Sequence, residues 1–175
     1  MNPTDELSKL AMKYGTDKWS RKHHYTPVYY KLFSDKRESV KKVLEIGVGE
    51  GPSLRMWRDF FPNAKIYGAE IDPNRIFEDG LIKVYKCDQS SRGDLEALIK
   101  EISSDIDFVV EDASHIPADQ VFTALNLMPL LKNEAVYIIE DVSDPNIFQQ
   151  FGEYDCEMIT VGGRYDDRLI IVRNK

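Results

Sequence analysis

Residues 41–51, KKVLEIGVGEG, carry a short apolar run straight into three glycines, Gly47, Gly49 and Gly51, and Pro52 and Ser53 follow where a helix begins. SLRMWRDFF then has helical spacing, and AKIYGAEID reads as a second strand. Strand, glycine turn, helix and strand open a βαβ unit, which commits the chain to a parallel sheet covered on its faces by helices. The alternation persists. IKVYKCD gives a third strand, Leu95, Leu98, Ile99 and Ile102 line one helical face, and DIDFVVED gives a fourth strand. VFTALNLMPLL follows as a helix with Pro129 near its end, EAVYIIED as a fifth strand and DPNIFQQF as a short helical turn. CEMITVG and RLIIVRN, on either side of a glycine-rich charged bend, read as a closing hairpin. The expectation is an α/β fold with a seven-stranded, mostly parallel sheet, helices on both faces and an antiparallel C-terminal hairpin. A chain of 175 residues, 42% hydrophobic, holds one sizeable core rather than two.

Ahead of that unit, Leu7, Leu10, Ala11 and Tyr14 recur at helical spacing, with Thr4 placed to cap the helix and Gly15 to stop it. TDKWSRKHHYTP then connects to a second helix marked by Val28, Tyr29, Leu32 and Phe33. Residues 1–40 therefore read as an N-terminal helical cap and connector, and 41–175 as the main domain. In the connector, Asp17 and Lys18 either pair on the surface or belong to a cover. His23 and His24, beside Trp19 and Tyr25, either form a lid over a small ligand or pack the segment down. Apolar positions on these helices suit packing on the core, a partner domain or a homo-oligomer.

Composition narrows the function classes. Lysine and arginine number 23 against 30 acidic residues, and the net charge of -7 opposes a phosphate-backbone footprint, so no nucleic-acid contact is expected. The longest apolar runs, such as AVYII and LIIV, are too short to span a bilayer, and MNPTDELSKL has neither a basic start nor an apolar segment. No membrane insertion and a cytoplasmic location are expected. Cys87 and Cys156 fall on strand-like stretches and read as reduced thiols.

Glycines directly after a first strand let the backbone turn sharply and approach a ligand at a helix N-terminus. A P-loop fails for want of GxxxxGK, and Glu45 just before the glycines would repel a phosphate but accept from a ligand ammonium. S-adenosylmethionine suits that arrangement. Glu70, ending the second strand, stands where a carboxylate grips ribose hydroxyls of either NAD or S-adenosylmethionine; Asp72 is its neighbour on the same strand face. Asp88 approaches an adenine edge or caps the next turn.

The fourth and fifth strands end in acids: Glu111 and Asp112 in EDASH, Glu140 and Asp141 in YIIED. Ligands collect at such strand ends, and carboxylates from neighbouring strands build an oxygen-rich site for Mg²⁺. The plainer alternative is solvated acids capping the following helices. His115 sits in a loop just beyond Asp112, either as a proton acceptor or as an ordinary loop histidine.

Together, GTDKW, HHYTPVY, LEIGVGEGPSLRMWRDFFPNAKIYGAEID, CDQS, EDASH and YIIED resemble the class I S-adenosylmethionine-dependent methyltransferases, and within them the metal-dependent sugar O-methyltransferases of the macrocin and mycinamicin type. The resemblance covers residues 15 to the final hairpin. It implies a Rossmann-like class I methyltransferase fold, with cofactor contacts from Thr16, Lys18, Tyr25, Glu45, Gly47, Gly49, Glu70, Ile71, Asp88, Gln89 and Asp112. It implies further that Asp112, Glu140 and Asp141 hold Mg²⁺, that His115 is the general base, and that the segment from GTDKW to Tyr25 covers cofactor and substrate. Departures are Glu111 and Ala113, where the family has DDGSH, Glu70 in place of an aspartate, and LKNEAVY in place of a glycine pair. The implied acceptor is a deoxyhexose such as rhamnose on a glycan or natural product. The competing readings are a catechol-like or other small vicinal diol as acceptor, a noncatalytic S-adenosylmethionine-binding domain, and, less favoured, an NAD-dependent oxidoreductase.

Overall fold

The computed structural model describes residues 4–19 and 23–175; the part of the expected connector at residues 20–22 lies outside the described residues. Five strands run parallel: β1 (Lys42–Ile46), β2 (Lys65–Glu70), β4 (Ile82–Lys86), β5 (Phe108–Glu111) and β6 (Val136–Ile139). The hairpin of β7 (Asp155–Thr160) and β8 (Arg168–Arg173) joins antiparallel through β8 on β6. A two-residue β3 (Glu78–Asp79) pairs antiparallel with β4, giving the order β3-β4-β2-β1-β5-β6-β8-β7. The seven expected strands are all present, and β3 is an eighth. It carries no apolar pattern because it is an exposed edge; its signal is the glycine of the two-residue hairpin turn Gly80-Leu81, with Gly80 at φ +60.

Helices sort onto the two faces by their apolar stripes. On one face, α1 (Glu6–Tyr14), α2 (Thr26–Phe33) and α3 (Pro52–Phe60) bury Leu7, Tyr29, Trp57 and Phe60 with Phe108 of β5. Phe33 stacks on Phe108 with ring centroids 4.6 Å apart. On the other face, α4 (Arg92–Ile102) buries its expected stripe of Leu95, Leu98, Ile99 and Ile102, and α5 (Pro117–Leu127) buries Ala124 and Leu127. Burial of each such large side chain contributes about 1.5–3 kcal/mol. β5 and β6 are buried throughout, as central parallel strands covered on both sides must be.

Two helix ends refine the sequence reading. Asp5, not Thr4, caps α1: its carboxylate accepts from the Ser8 amide at 2.8 Å and the Ser8 hydroxyl at 2.7 Å. An acceptor three residues ahead of an orphan amide has the shorter reach, which favours Asp5. Gly15 ends α1 at φ 73, as expected. The Ser8 hydroxyl also meets that of Thr26 at 2.8 Å and pins α1 to α2. Strand order reverses between β1 and β5, so the loops leaving these strands diverge and open a cleft at their C-terminal ends. Among the described residues, no helix is long and apolar enough to cross a membrane.

Candidate active site

A cavity of about 1140 Å³ occupies that cleft, bounded by the loops after β1, β2, β4 and β5 and, on one side, by Ala11, Met12 and Gly15–Asp17 at the end of α1. Gly47 and Gly49 leave β1 at φ +86 and +54, a region that costs L side chains strain. At Gly47 a Cβ would lie 2.2 Å from the Asp112 carbonyl oxygen and 2.5 Å from Ala113 Cα, so only glycine lets the loop after β1 pack against the loop after β5. At Gly49 nothing lies within 4 Å of that position.

The loop amides are already directed at an anion. Glu70 Oε2 accepts from Val48 and Gly49 at 3.1 and 3.0 Å, and Glu70 Oε1 accepts from the Asp72 amide at 3.0 Å. A phosphate there would meet a carboxylate in its place. Asp72 lies beyond the strand rather than on its face, and accepts from the Asn74 amide instead. Asp88 accepts from the amide and hydroxyl of Ser90, at 2.9 and 2.7 Å. Gln89 accepts from the Ser114 amide at 3.1 Å and donates to Thr123. Ile71 is 60% exposed at the cavity wall and offers an apolar surface to a planar ring. Among the described residues this wall carries seven carboxylates against one guanidinium, Arg75, so the space favours a cationic ligand.

Parallel pairing of β5 with β6 sets Glu111 against Ile139 and brings the acids beyond both strands together. His115 Nε2 lies 3.0 Å from Asp112 Oδ1 and 3.4 Å from Asp141 Oδ2, and one donor atom from each of the three falls within 4.8 Å of the others. His115 and Asp141 hold φ values of 57 and 52, an uncommon backbone for such residues that turns both side chains toward one point. The second oxygen of each acid is taken from behind. Lys18 Nζ lies 2.6 Å from both Asp112 Oδ2 and Glu140 Oε2, and 3.4 Å from Glu45 Oε1. Tyr25 donates to Asp141 Oδ1 at 2.6 Å and Tyr29 to Glu140 Oε1 at 2.5 Å. Glu45 also accepts from Ser53 and Trp57, both at 2.7 Å.

Burial opposes the charge on Lys18, but Asp112, Glu140 and Glu45 outweigh it and hold the ammonium well above its ordinary pKa. Burial also works against ionised Asp112, yet Lys18 and His115 keep it well below the usual carboxylate range. Burial, reinforced by Asp112, pushes Glu45, Glu140 and Asp141 upward. The hydrogen bond to Asp112 raises His115 against the effect of its burial. Glu111 is pushed up to about 8, first by burial and then by Asp112, and its Oε2 has no partner among the described residues. The inward oxygens of Asp112 and Asp141 fit a hard divalent ion, whose charge would relieve the repulsion that raises Asp141.

Of the residues singled out from sequence, Thr16, Glu45, Gly47, Gly49, Glu70, Ile71, Asp88, Gln89, Asp112 and His115 border the cavity. Lys18, Tyr25, Glu140 and Asp141 are buried behind them. Lys18, 1% exposed, makes no surface pair; its salt bridges run into the core. Tyr29, Ser53, Trp57 and Asp167 carry no site role in the sequence reading. Tyr29 and Trp57 follow ordinary apolar helix spacing, and only their polar tips, which need partners when buried, hinted at more.

No family model matches the chain. It is 34% identical over 164 residues to the 8-demethyl-8-alpha-L-rhamnosyl tetracenomycin-C 2'-O-methyltransferase of Streptomyces olivaceus, a match covering 90% of this chain and 43% of that protein. It is 35% identical over 144 residues to the mycinamicin VI 2''-O-methyltransferase of Micromonospora griseorubida, covering 78% and 36%. Among solved structures, the MycE methyltransferase from the mycinamycin biosynthetic pathway, in complex with Mg, SAH and mycinamycin VI, superposes with a TM-score of 0.79 at 26% identity, over 97% of this chain and 53% of that one. The chain thus spans less than half the length of these two curated relatives. On sequence and fold together, it belongs to the class I S-adenosylmethionine-dependent methyltransferases, as a close relative of the macrocin- and mycinamicin-type sugar O-methyltransferases.

Proposed function

We propose that the chain methylates a hydroxyl of a sugar, a deoxyhexose such as rhamnose on a natural product or glycan, using S-adenosylmethionine and Mg²⁺. The observation that carries this reading is the convergence of Asp112 Oδ1, His115 Nε2 and Asp141 Oδ2 at the edge of an acidic cavity with a carboxylate-held glycine loop. The acceptor class draws support from the relative that acts on a rhamnosyl tetracenomycin.

When bound, S-adenosylmethionine supplies an electrophilic sulfonium methyl, and Mg²⁺ supplies positive charge that makes a nearby hydroxyl more acidic. Glu70 and Asp88 keep acceptor lone pairs that would serve the cofactor's hydroxyl and amino groups, Ile71 would offer its apolar face to the ring, and Thr16 and Gln89 border the same space. Asp112 and Asp141 would hold the ion through their inward oxygens, and Glu140, paired with Lys18 and Tyr29, would add the third carboxylate charge behind them. Lys18 and Tyr25 act from behind, keeping the acids oriented. His115, at 44% side-chain exposure the most accessible of the three, takes the acceptor's proton at Nε2. With the cofactor bound, proton removal would free the oxygen to take the methyl as the sulfur–methyl bond breaks, and Asp112, 3.0 Å from Nε2, would support the imidazolium.

Calorimetric titration with S-adenosylmethionine, then a panel of vicinal-diol sugars with and without Mg²⁺ read by mass, tests the proposal. Cofactor binding and addition of one methyl only with Mg²⁺ are expected. Folded protein that binds no cofactor, or methylates equally well without the ion, contradicts it.

A further inference from the structure

We infer that His23 and Asp167 are positioning residues for Asp141, forming a relay that fixes which of its oxygens faces the cavity; this rests on the cation-binding reading above. His23 is 4% exposed and lies between two carboxylates: Nδ1 is 2.9 Å from Asp167 Oδ1, and Nε2 is 3.4 Å from Asp141 Oδ1. Its ring stacks on Tyr25 at 4.8 Å, and the Tyr25 hydroxyl reaches the same Asp141 oxygen. Asp141 Oδ1 thus accepts from Tyr25 and lies within ion-pair range of His23 Nε2, both from behind, while Oδ2 is the oxygen turned toward His115.

Asp167 is itself fixed. It is 3% exposed in the bend before β8, and its Oδ2 accepts from the Arg164 amide at 2.8 Å. A Cβ at Gly162 would stand 2.2 Å from that oxygen, so the glycine-rich bend is shaped around this carboxylate. Packing alone explains neither a buried carboxylate at this bend nor a histidine with a carboxylate at each ring nitrogen. Outer partners of this kind set the orientation of carboxylate and histidine ligands at metal sites. The relay couples the N-terminal segment, the end of β6 and the C-terminal hairpin, so docking of all three sets the geometry at Asp141.

The test is Mn²⁺ binding, followed by electron paramagnetic resonance in wild type, His23→Gln, Asp167→Asn and the double variant, alongside calorimetric titration with S-adenosylmethionine. Each single variant is expected to bind Mn²⁺ about 10–100-fold more weakly, with a changed spectrum of the bound ion. Cofactor affinity should stay within about twofold, and the double variant should be no weaker than the worse single. Single variants that match wild type in Mn²⁺ affinity and spectrum, or losses that multiply in the double, overturn the relay. If Asp167→Asn does not fold, His23→Gln decides, since it leaves the Asp167 contact with Arg164 in place. Asp112→Asn separates the two ideas: if wild type takes up no Mn²⁺, or this variant binds it unchanged, the cation site fails and the relay with it.

Discussion

Replacing Gly47 by alanine should cost far more than the same change at Gly49, although both glycines follow one strand and both have positive φ. At Gly49 the added methyl meets nothing within 4 Å, so only the backbone term remains, about 1–2 kcal/mol. At Gly47 the methyl also lies 2.2 Å from a backbone oxygen and 2.5 Å from a backbone carbon, atoms that no side-chain rotation can move aside. Overpacking of that kind adds about 1–3 kcal/mol, for a total of about 2–5 kcal/mol. For a domain of this size, at about 2–4 °C per kcal/mol, Gly49→Ala should lower the melting temperature by about 2–8 °C and Gly47→Ala by about 4–20 °C. The Gly47 variant must also spread the loops after β1 and β5, so S-adenosylmethionine affinity should fall with stability; Gly49→Ala should show the smaller melting loss of the two. Paired calorimetric melts and cofactor titrations read both. Equal melting losses in the two variants would refute the reasoning, because the close approach at Gly47 would then carry no energy.

Other residues give independent checks. Glu111, pushed up to about 8 by burial and by Asp112, favours the protonated form in the fold. Its contribution is full below the ordinary glutamate pKa and lost as pH rises through about 8. At about 1.4 kcal/mol per pH unit that loss has a ceiling on the order of 5 kcal/mol. In metal-free protein Glu111→Gln should therefore melt above wild type at pH 8 and close to it at pH 4.5, and a difference that does not vary with pH contradicts this. Lys18→Met leaves Glu45, Asp112 and Glu140 without their shared cation, a loss of about 3–5 kcal/mol that thermal melts should show more strongly at pH 8 than at pH 5; a melt within about 2 °C of wild type speaks against the buried ion cluster. His115→Ala should lower turnover by about 10²–10⁴-fold with cofactor affinity unchanged in calorimetry, and unchanged turnover removes it as the base.

Local pattern made the main sheet readable: the apolar runs at Val43–Ile46 and Val136–Ile139 are long enough only for strands and are bounded by turns. Gly47 was readable as a turn, but its contact with Asp112 was not, because 65 residues separate them in the chain and only strand order makes them neighbours. For the same reason Lys18 could not be told from a surface lysine. Its three carboxylates come from β1 and from just beyond the ends of β5 and β6, and the sequence carries no signal of which strand ends a connector will cross. The pairing of Asp112 with His115 was more accessible, since both lie in one loop. That Asp141 joins them depends on a left-handed backbone at a non-glycine residue, which aspartate adopts more readily than most residues but still only in a small minority of cases.

Methyl transfer from isotope-labelled S-adenosylmethionine to a rhamnosylated acceptor, read by mass with Mg²⁺ and again after chelation, bears most directly on the central claim. One labelled methyl on the sugar with Mg²⁺, none after chelation and none from Asp112→Asn that still binds cofactor, is the predicted result. Transfer that survives both chelation and loss of Asp112 would contradict a metal-assisted reaction at these acids.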